Sequence, residues 1–260
     1  MADFSAAVFL SEVLRLTARD GNVAVLPEAA RFAMGGKPVL RIVVPSGALD
    51  EYLLAMDRAG VSCAPRSLAI SLSSGTWNQI SAVDDVELDE RAGPSKLSIY
   101  ATEPIHPQQT LDLTGLYLSL DRVTATAASV ADVQDSDEAG SLFGYPVCCV
   151  AKVGELADAG GSWPQELVKR SGEASQWNAA ANRIVADWGG IPPTGELFPC
   201  SLACAHAAHI GRSGVHALAK AGLVRLAQRI KEDAVRGWRL KVGRAVLSDE
   251  ASNCYRLTWR

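Results

Sequence analysis

Gly144-Tyr145-Pro146-Val147-Cys148-Cys149-Val150 is the stretch on which the reading of this chain turns. Ahead of it run short apolar segments separated by glycine and proline. Behind it the apolar residues recur at helical spacing. A second cysteine window follows some fifty residues on, Phe198-Pro199-Cys200-Ser201-Leu202-Ala203-Cys204-Ala205-His206-Ala207-Ala208-His209. In each window a proline stands just ahead of a cysteine at an expected helix start, where its fixed φ and missing N–H are tolerated. Four of the six cysteines fall in these two windows. A thiol at a helix N-terminus feels the positive end of the helix dipole, which favours the thiolate.

Working toward the N-terminus, residues 3–18 carry apolar side chains at helical spacing and stop at Asp20-Gly21-Asn22. Val23–Leu26 reads as a short strand, and Val39–Val44 as a second one between Gly35-Gly36-Lys37-Pro38 and Pro45-Ser46-Gly47. A helix is expected from Leu49 to Ala59, closed by Gly60. Arg66–Ser71 and Lys96–Ala101 alternate as strands do. The polar, acidic segment 73–94 between them is a hairpin or a loop, and its acids (Asp84, Asp85, Glu87, Asp89, Glu90) lack the spacing and glycine of a calcium loop. An acidic helix, Asp132–Ser141, delivers the chain to the cysteine pair.

Working toward the C-terminus, segments 146–157, 164–171, 173–188 and 200–235 favour helix, with a break expected near Gly211 and Gly214. Lys241–Leu247 and Cys254–Trp259 read as closing strands. The fold class is therefore α/β in the α+β sense. A small mixed sheet of about four strands occupies the N-terminal half, and a mainly helical C-terminal half ends in strands. The organisation is a small subdomain 1–103 followed by a cysteine-motif subdomain 104–260, or one continuous domain.

Apolar residues make up 48% of the 260, charged residues 21%, and the formal net charge is −4. That balance offers no basic face to nucleic acid. The longest apolar runs are too short to cross a bilayer, and the opening Met-Ala-Asp-Phe-Ser lacks a secretory pattern. A cytoplasmic protein with no nucleic-acid or membrane partner is expected. In a reducing compartment, adjacent cysteines are metal ligands or reactive thiols rather than structural disulfides.

Cys200 and Cys204, four apart, would share one helical face with about 6 Å between Cβ atoms. Cys148 and Cys149 diverge by about 100° on a helix, but at a first turn both sulfurs can face one volume. Four thiolates would close a tetrahedral ion site or hold a four-iron cluster, and three would leave an open position. The spacing is neither that of a zinc ribbon nor that of a ferredoxin, and the haem-attachment, dinucleotide-binding, P-loop and nucleophile-elbow patterns are absent. His206 and His209 lie three apart, near one face, as candidates for completing the shell or moving protons. Tyr145 is a candidate donor to a bound sulfur or substrate. Cys63, Cys254 and His216 read as ordinary core or surface residues.

The two windows resemble a little-characterised prokaryotic family marked by Gly-Tyr-Pro-x-Cys-Cys followed by Pro-Cys-Ser-x-x-Cys. The likeness rests on Gly144–Val150 and Pro199–Cys204 and weakens from Lys96 through the acidic helix. It implies a cysteine-centred, metal-binding domain. His206 and His209 depart from the small or polar residues expected after the last cysteine. The functional expectation is an enzyme acting on a small molecule, with Cys148, Cys149, Cys200 and Cys204 holding an iron–sulfur cluster or an iron or zinc ion. Its substrate would enter between the two halves. A metal-free thiol redox or thioester-forming enzyme and a structural zinc module are the alternatives.

Overall fold

The computed structural model describes residues 3–73, 76–80, 110–134, 136–158, 163–173, 176–188, 190–235, 240–242 and 245–247. Helix α1 (Ala6–Asp20) is capped by Ser5, whose hydroxyl accepts from Val8 N, and ends where Gly21 turns left-handed at φ 78°. Helix α2 (Leu26–Ala33) follows a 3-10 turn, Val23–Val25, so the strand expected at 23–26 is not formed. Pro27 sits in its first turn, and every residue of α2 is buried. A helix buried all round shows no polar face, so a four-residue apolar run at its start looks like a strand. Strand β1 (Leu40–Pro45) and helix α3 (Leu49–Arg58, closed by Gly60 at φ 72°) come where expected.

Strands β2 (Ser62–Ser73) and β3 (Thr76–Ile80) form a hairpin in the segment that includes Arg66–Ser71. Strand β4 (Thr110–Ser119), which was not expected, runs between β1 and β2 in the order β1-β4-β2-β3. All pairings in this sheet are antiparallel, Ile42 opposite Leu116 and Cys63 opposite Leu118 among them. The expected strand at 96–101, the acids at 84–90 and the strand at 254–259 lie outside the described residues. The architecture is α+β, with the sheet built mostly from the N-terminal half and helices dominating after it.

Alternation along β1 and β4 sends Leu40, Ile42, Val44, Leu116 and Leu118 to one side. There they join Phe9, Val13 and Leu16 of α1, Phe32 of α2, Met56 of α3, and Val215, Leu218 and Ile230 from the C-terminal helices. This buried cluster takes side chains from both 1–103 and 104–260. Full burial of each large apolar side chain contributes about 1.5–3 kcal/mol. Phe4, Phe9 and Phe32 meet there with ring centroids 5.1–6.2 Å apart. Tyr117 points the other way, into a second cluster with Ala128 and Ala131 of α4 (Arg122–Gln134) and Ala139 of α5 (Ser136–Leu142). The expected acidic helix at 132–141 is thus the end of α4 plus α5.

Helices α6 (Val147–Asp158) and α7 (Trp163–Arg170) match expectation. Segment 173–188 does not. It forms 3-10 turns at Ala179–Ala181 and Ile184–Trp188, with Asn178 capping the first through its bond from Ala180 N. Helix α8 (Ala205–Lys220) runs unbroken through Gly211 and Gly214, and the break before α9 (Val224–Val235) is at Gly222, φ 85°. The two glycines serve close approach instead. A Cβ on Gly211 would stand 1.9 Å from Ala180 O, and one on Gly214 would stand 2.9 Å from Pro27 Cβ. A short hairpin, β5 (Leu240–Val242) and β6 (Ala245–Leu247), supplies the first closing strands.

Candidate metal centre

The two cysteine windows meet. Helix α5 ends at Gly144, φ 67°, with Tyr145 N bonded back to Gly140 O at 2.9 Å. Pro146 follows, and its carbonyl accepts from Cys149 N and Val150 N at 2.8 and 3.0 Å, so Cys148 and Cys149 occupy the first turn of α6. The α5–α6 crossing is tight enough that a Cβ on Gly140 would lie 2.3 Å from Val150 Cγ2. On the other side Cys204 is the N-cap of α8, its sulfur accepting from Ala207 N at 3.4 Å. Cys200 is not on that helix. It lies in the loop before it, so Pro199 does not open a helix and the two thiols do not share a helical face. The convergence comes from a turn at 201–204 that folds Cys200 back beside the cap.

The four sulfurs lie within 4.8 Å of one another. The Cys148–Cys149, Cys148–Cys204 and Cys149–Cys204 separations are 4.0, 3.8 and 3.8 Å. Four thiolates bound at about 2.3 Å to one tetrahedral ion stand about 3.8 Å apart. The set is therefore able to hold a metal ion. Around it, Ala180, Ala181, Leu197, Ala207, Ala208 and Ile210 form a small apolar cluster that contains Cys149 and Cys204 and packs against Cys200 and Tyr145. Cys148, by contrast, is exposed.

As free thiols the group is electrostatically uneven. The Cys204 thiol is lowered to about 4, by the bond donated from Cys149 and then by Ala207 N–H, against the pull of burial. Its neighbours move the other way. Cys149 is raised by that same bond to Cys204 and by burial, and Cys200 is pushed up to about 12 by burial and its bond to Cys204. Negative charge is thus favoured at the helix cap, on Cys204, and disfavoured on Cys149 and Cys200.

Of the two histidines, His206 reaches the site: its Nδ1 lies 3.7 Å from Cys148 Sγ, and both residues are exposed. His209 is exposed on the same helix, and it is His206 that makes the sulfur contact. Tyr145 packs against the cysteine cluster, but its hydroxyl is directed to Glu28, 3.1 and 3.2 Å from the two carboxylate oxygens. Burial and the Glu28 charge hold that phenol well above its ordinary pKa. Cys63 is half-buried in β2, and burial pushes its thiol up to about 12. His216 is exposed.

Sequence reasoning missed Glu28 and Lys37. They form an ion pair of 2.7 Å with side chains 1% and 0% exposed. The only sequence signals are a glutamate inside the apolar run Val25–Ala33 and a lysine between Gly36 and Pro38. Neither points to a partner a hundred residues or more away.

The fold and the site together define an α+β protein carrying a four-cysteine cluster able to bind metal. Comparison with protein-family models, with curated proteins and with solved structures gives no match to this chain. Among the described residues no helix is long and apolar enough to cross a membrane.

Proposed function

We propose that the protein binds a single zinc or iron ion in tetrahedral coordination by Cys148, Cys149, Cys200 and Cys204. The observation that carries this reading is the 3.8–4.0 Å spacing of three of the sulfurs, the edge length of one tetrahedron. A four-iron cluster takes each thiolate on a different iron and so spreads them by the width of the cluster. The compact set favours one ion over that alternative.

Four thiolates fill the shell, as in structural sites, but the shell is lopsided. Cys149 and Cys204 are buried, while Cys148 is exposed beside His206. In an enzyme acting on a small molecule, Cys148 would be the ligand that exchanges, and His206 would hold the proton that its release requires. A metal-free thiol enzyme is the second reading. It is favoured by the same separations, which also suit S–H···S contact.

Metal analysis of protein purified without oxygen tests the proposal. One zinc or iron per chain is expected, lost in Cys149→Ser and Cys204→Ser and kept in Cys63→Ala. Folded wild-type protein that takes up no metal, and in which one thiol is alkylated rapidly ahead of the others, would replace the metal reading by the thiol one.

A further inference from the structure

Glu28 is a buried, densely bonded group near the centre. Its Oε1 accepts from Glu196 N at 2.9 Å, Leu197 N at 3.1 Å and Tyr145 OH at 3.1 Å, and its Oε2 meets Lys37 Nζ at 2.7 Å. Lys37 Nζ also donates to Phe143 O at 2.9 Å and lies 4.3 Å from the centre of the Tyr145 ring. The two segments held are those that lead into the cysteines. Phe143 and Tyr145 stand five and three residues ahead of Cys148, and Glu196 and Leu197 stand four and three ahead of Cys200. Both turns carry a left-handed glycine, Gly144 at φ 67° and Gly195 at φ 65°. At Gly195 the approach is so close that a Cβ would lie 2.4 Å from Glu28 Cγ.

A buried carboxylate–ammonium pair is an expensive way to fill a core, and apolar residues of like volume commonly do as well or better for stability. What such a pair supplies is position, because its bonds tolerate only small displacements. Burial draws the Lys37 ammonium down. It would likewise raise Glu28, but Lys37 and the other donors outweigh it and hold the carboxylate below its ordinary range. The pair is held by short, directed bonds where α2, from the N-terminal half, meets both cysteine loops.

We infer that Glu28 is a positioning residue of the metal centre: one carboxylate clamps the 143–145 and 195–197 turns together and so sets the distance between the two cysteine pairs. The inference rests on the single-ion reading above. Glu28 acts at one remove, through Tyr145 and the 196–197 backbone, as the outer partners of metal ligands do in orienting them. Tyr145 accordingly serves the sulfurs by fixing their loop, with its hydroxyl turned away from them.

Cobalt(II) is the probe, added without oxygen to reduced, metal-free, full-length protein. Affinity, the visible ligand-field bands and the thiolate-to-cobalt absorption are read together with the thermal midpoint of each metal-free form. Wild type is expected to take one cobalt with the spectrum of tetrahedral tetrathiolate coordination. Glu28→Gln keeps the shape and loses the charge, and should weaken binding by about 10–100-fold with altered ligand-field bands. Tyr145→Phe removes one donor of four and should weaken it by about tenfold, which a merely structural role would not do. Should Glu28→Gln fail to fold, Tyr145→Phe decides. Wild-type protein that takes no cobalt overturns both the metal reading and the clamp. Wild type that takes it, with folded variants equal to it in affinity and spectrum, overturns the clamp alone.

Discussion

Replacing Gly211 by alanine sets two effects of known size against each other. In a helix interior alanine is favoured over glycine by about 1 kcal/mol, so propensity alone predicts a more stable protein. The packing predicts the opposite. The new Cβ would sit 1.9 Å from Ala180 O, 2.9 Å from Ala180 C and 3.1 Å from Pro193 Cβ, where ordinary contact begins at 3.4 Å. The nearest two atoms are backbone, in a 3-10 turn held by Asn178 at one end and by Asn182 Nδ2 on Ala234 O at the other. No rotamer change relieves the clash, so α8 must back away by more than an ångström. Such overpacking costs about 3 kcal/mol, the upper part of its usual range, which leaves a net loss of about 2 kcal/mol. Urea unfolding of the reduced, metal-free protein measures it as a lower midpoint at unchanged slope. Gly214→Ala, whose nearest contact is the Pro27 ring carbon at 2.9 Å, should lose less. A Gly211→Ala midpoint equal to or above wild type would refute the close α8–turn packing and with it the placement of Cys204.

Zinc binding at pH 7 should release at least two protons, because Cys149 and Cys200 are both raised and must give up theirs to become ligands. Calorimetry in buffers of different ionisation enthalpy counts them, and affinity should fall as pH is lowered. Tyr117→Phe should destabilise by about 1.5–3 kcal/mol, since it removes a buried hydroxyl that donates to Asp132 at 2.6 Å, and thermal unfolding will show it. Glu28, held below its unfolded value of 4.5, contributes stability that is complete above that pH and is lost as pH falls through its lower folded value. Unfolding free energy measured from pH 6 to 3 should therefore fall less steeply in Glu28→Gln than in wild type.

The cysteines were legible because proline and paired thiols near a helix start are local features, and α6 forms as its sequence suggests. Cys200 was misplaced because a four-residue spacing suits a helix and a tight turn equally, and only the cap at Cys204 tells them apart. Residues 173–188 looked helical because alanine-rich sequence is, yet the Ala180 carbonyl packs against Gly211, and Asn178 and Asn182 stabilise the 179–181 turn that presents it. Strand β4 was missed although Leu111, Leu113 and Thr110, Asp112, Thr114 alternate, because Gly115 and the change to Leu116-Tyr117-Leu118 break the polar face. That change is itself physical, since the far end of β4 is buried on both sides. Glu28 was beyond sequence reading, as its partners other than Lys37 come from turns more than a hundred residues downstream.

X-ray absorption at the metal edge of protein purified without oxygen bears most directly on the centre. Four sulfur neighbours at about 2.3 Å around one ion per chain, with no metal neighbour, is the predicted result. A metal–metal scattering shell, or a first shell dominated by nitrogen or oxygen, would contradict it.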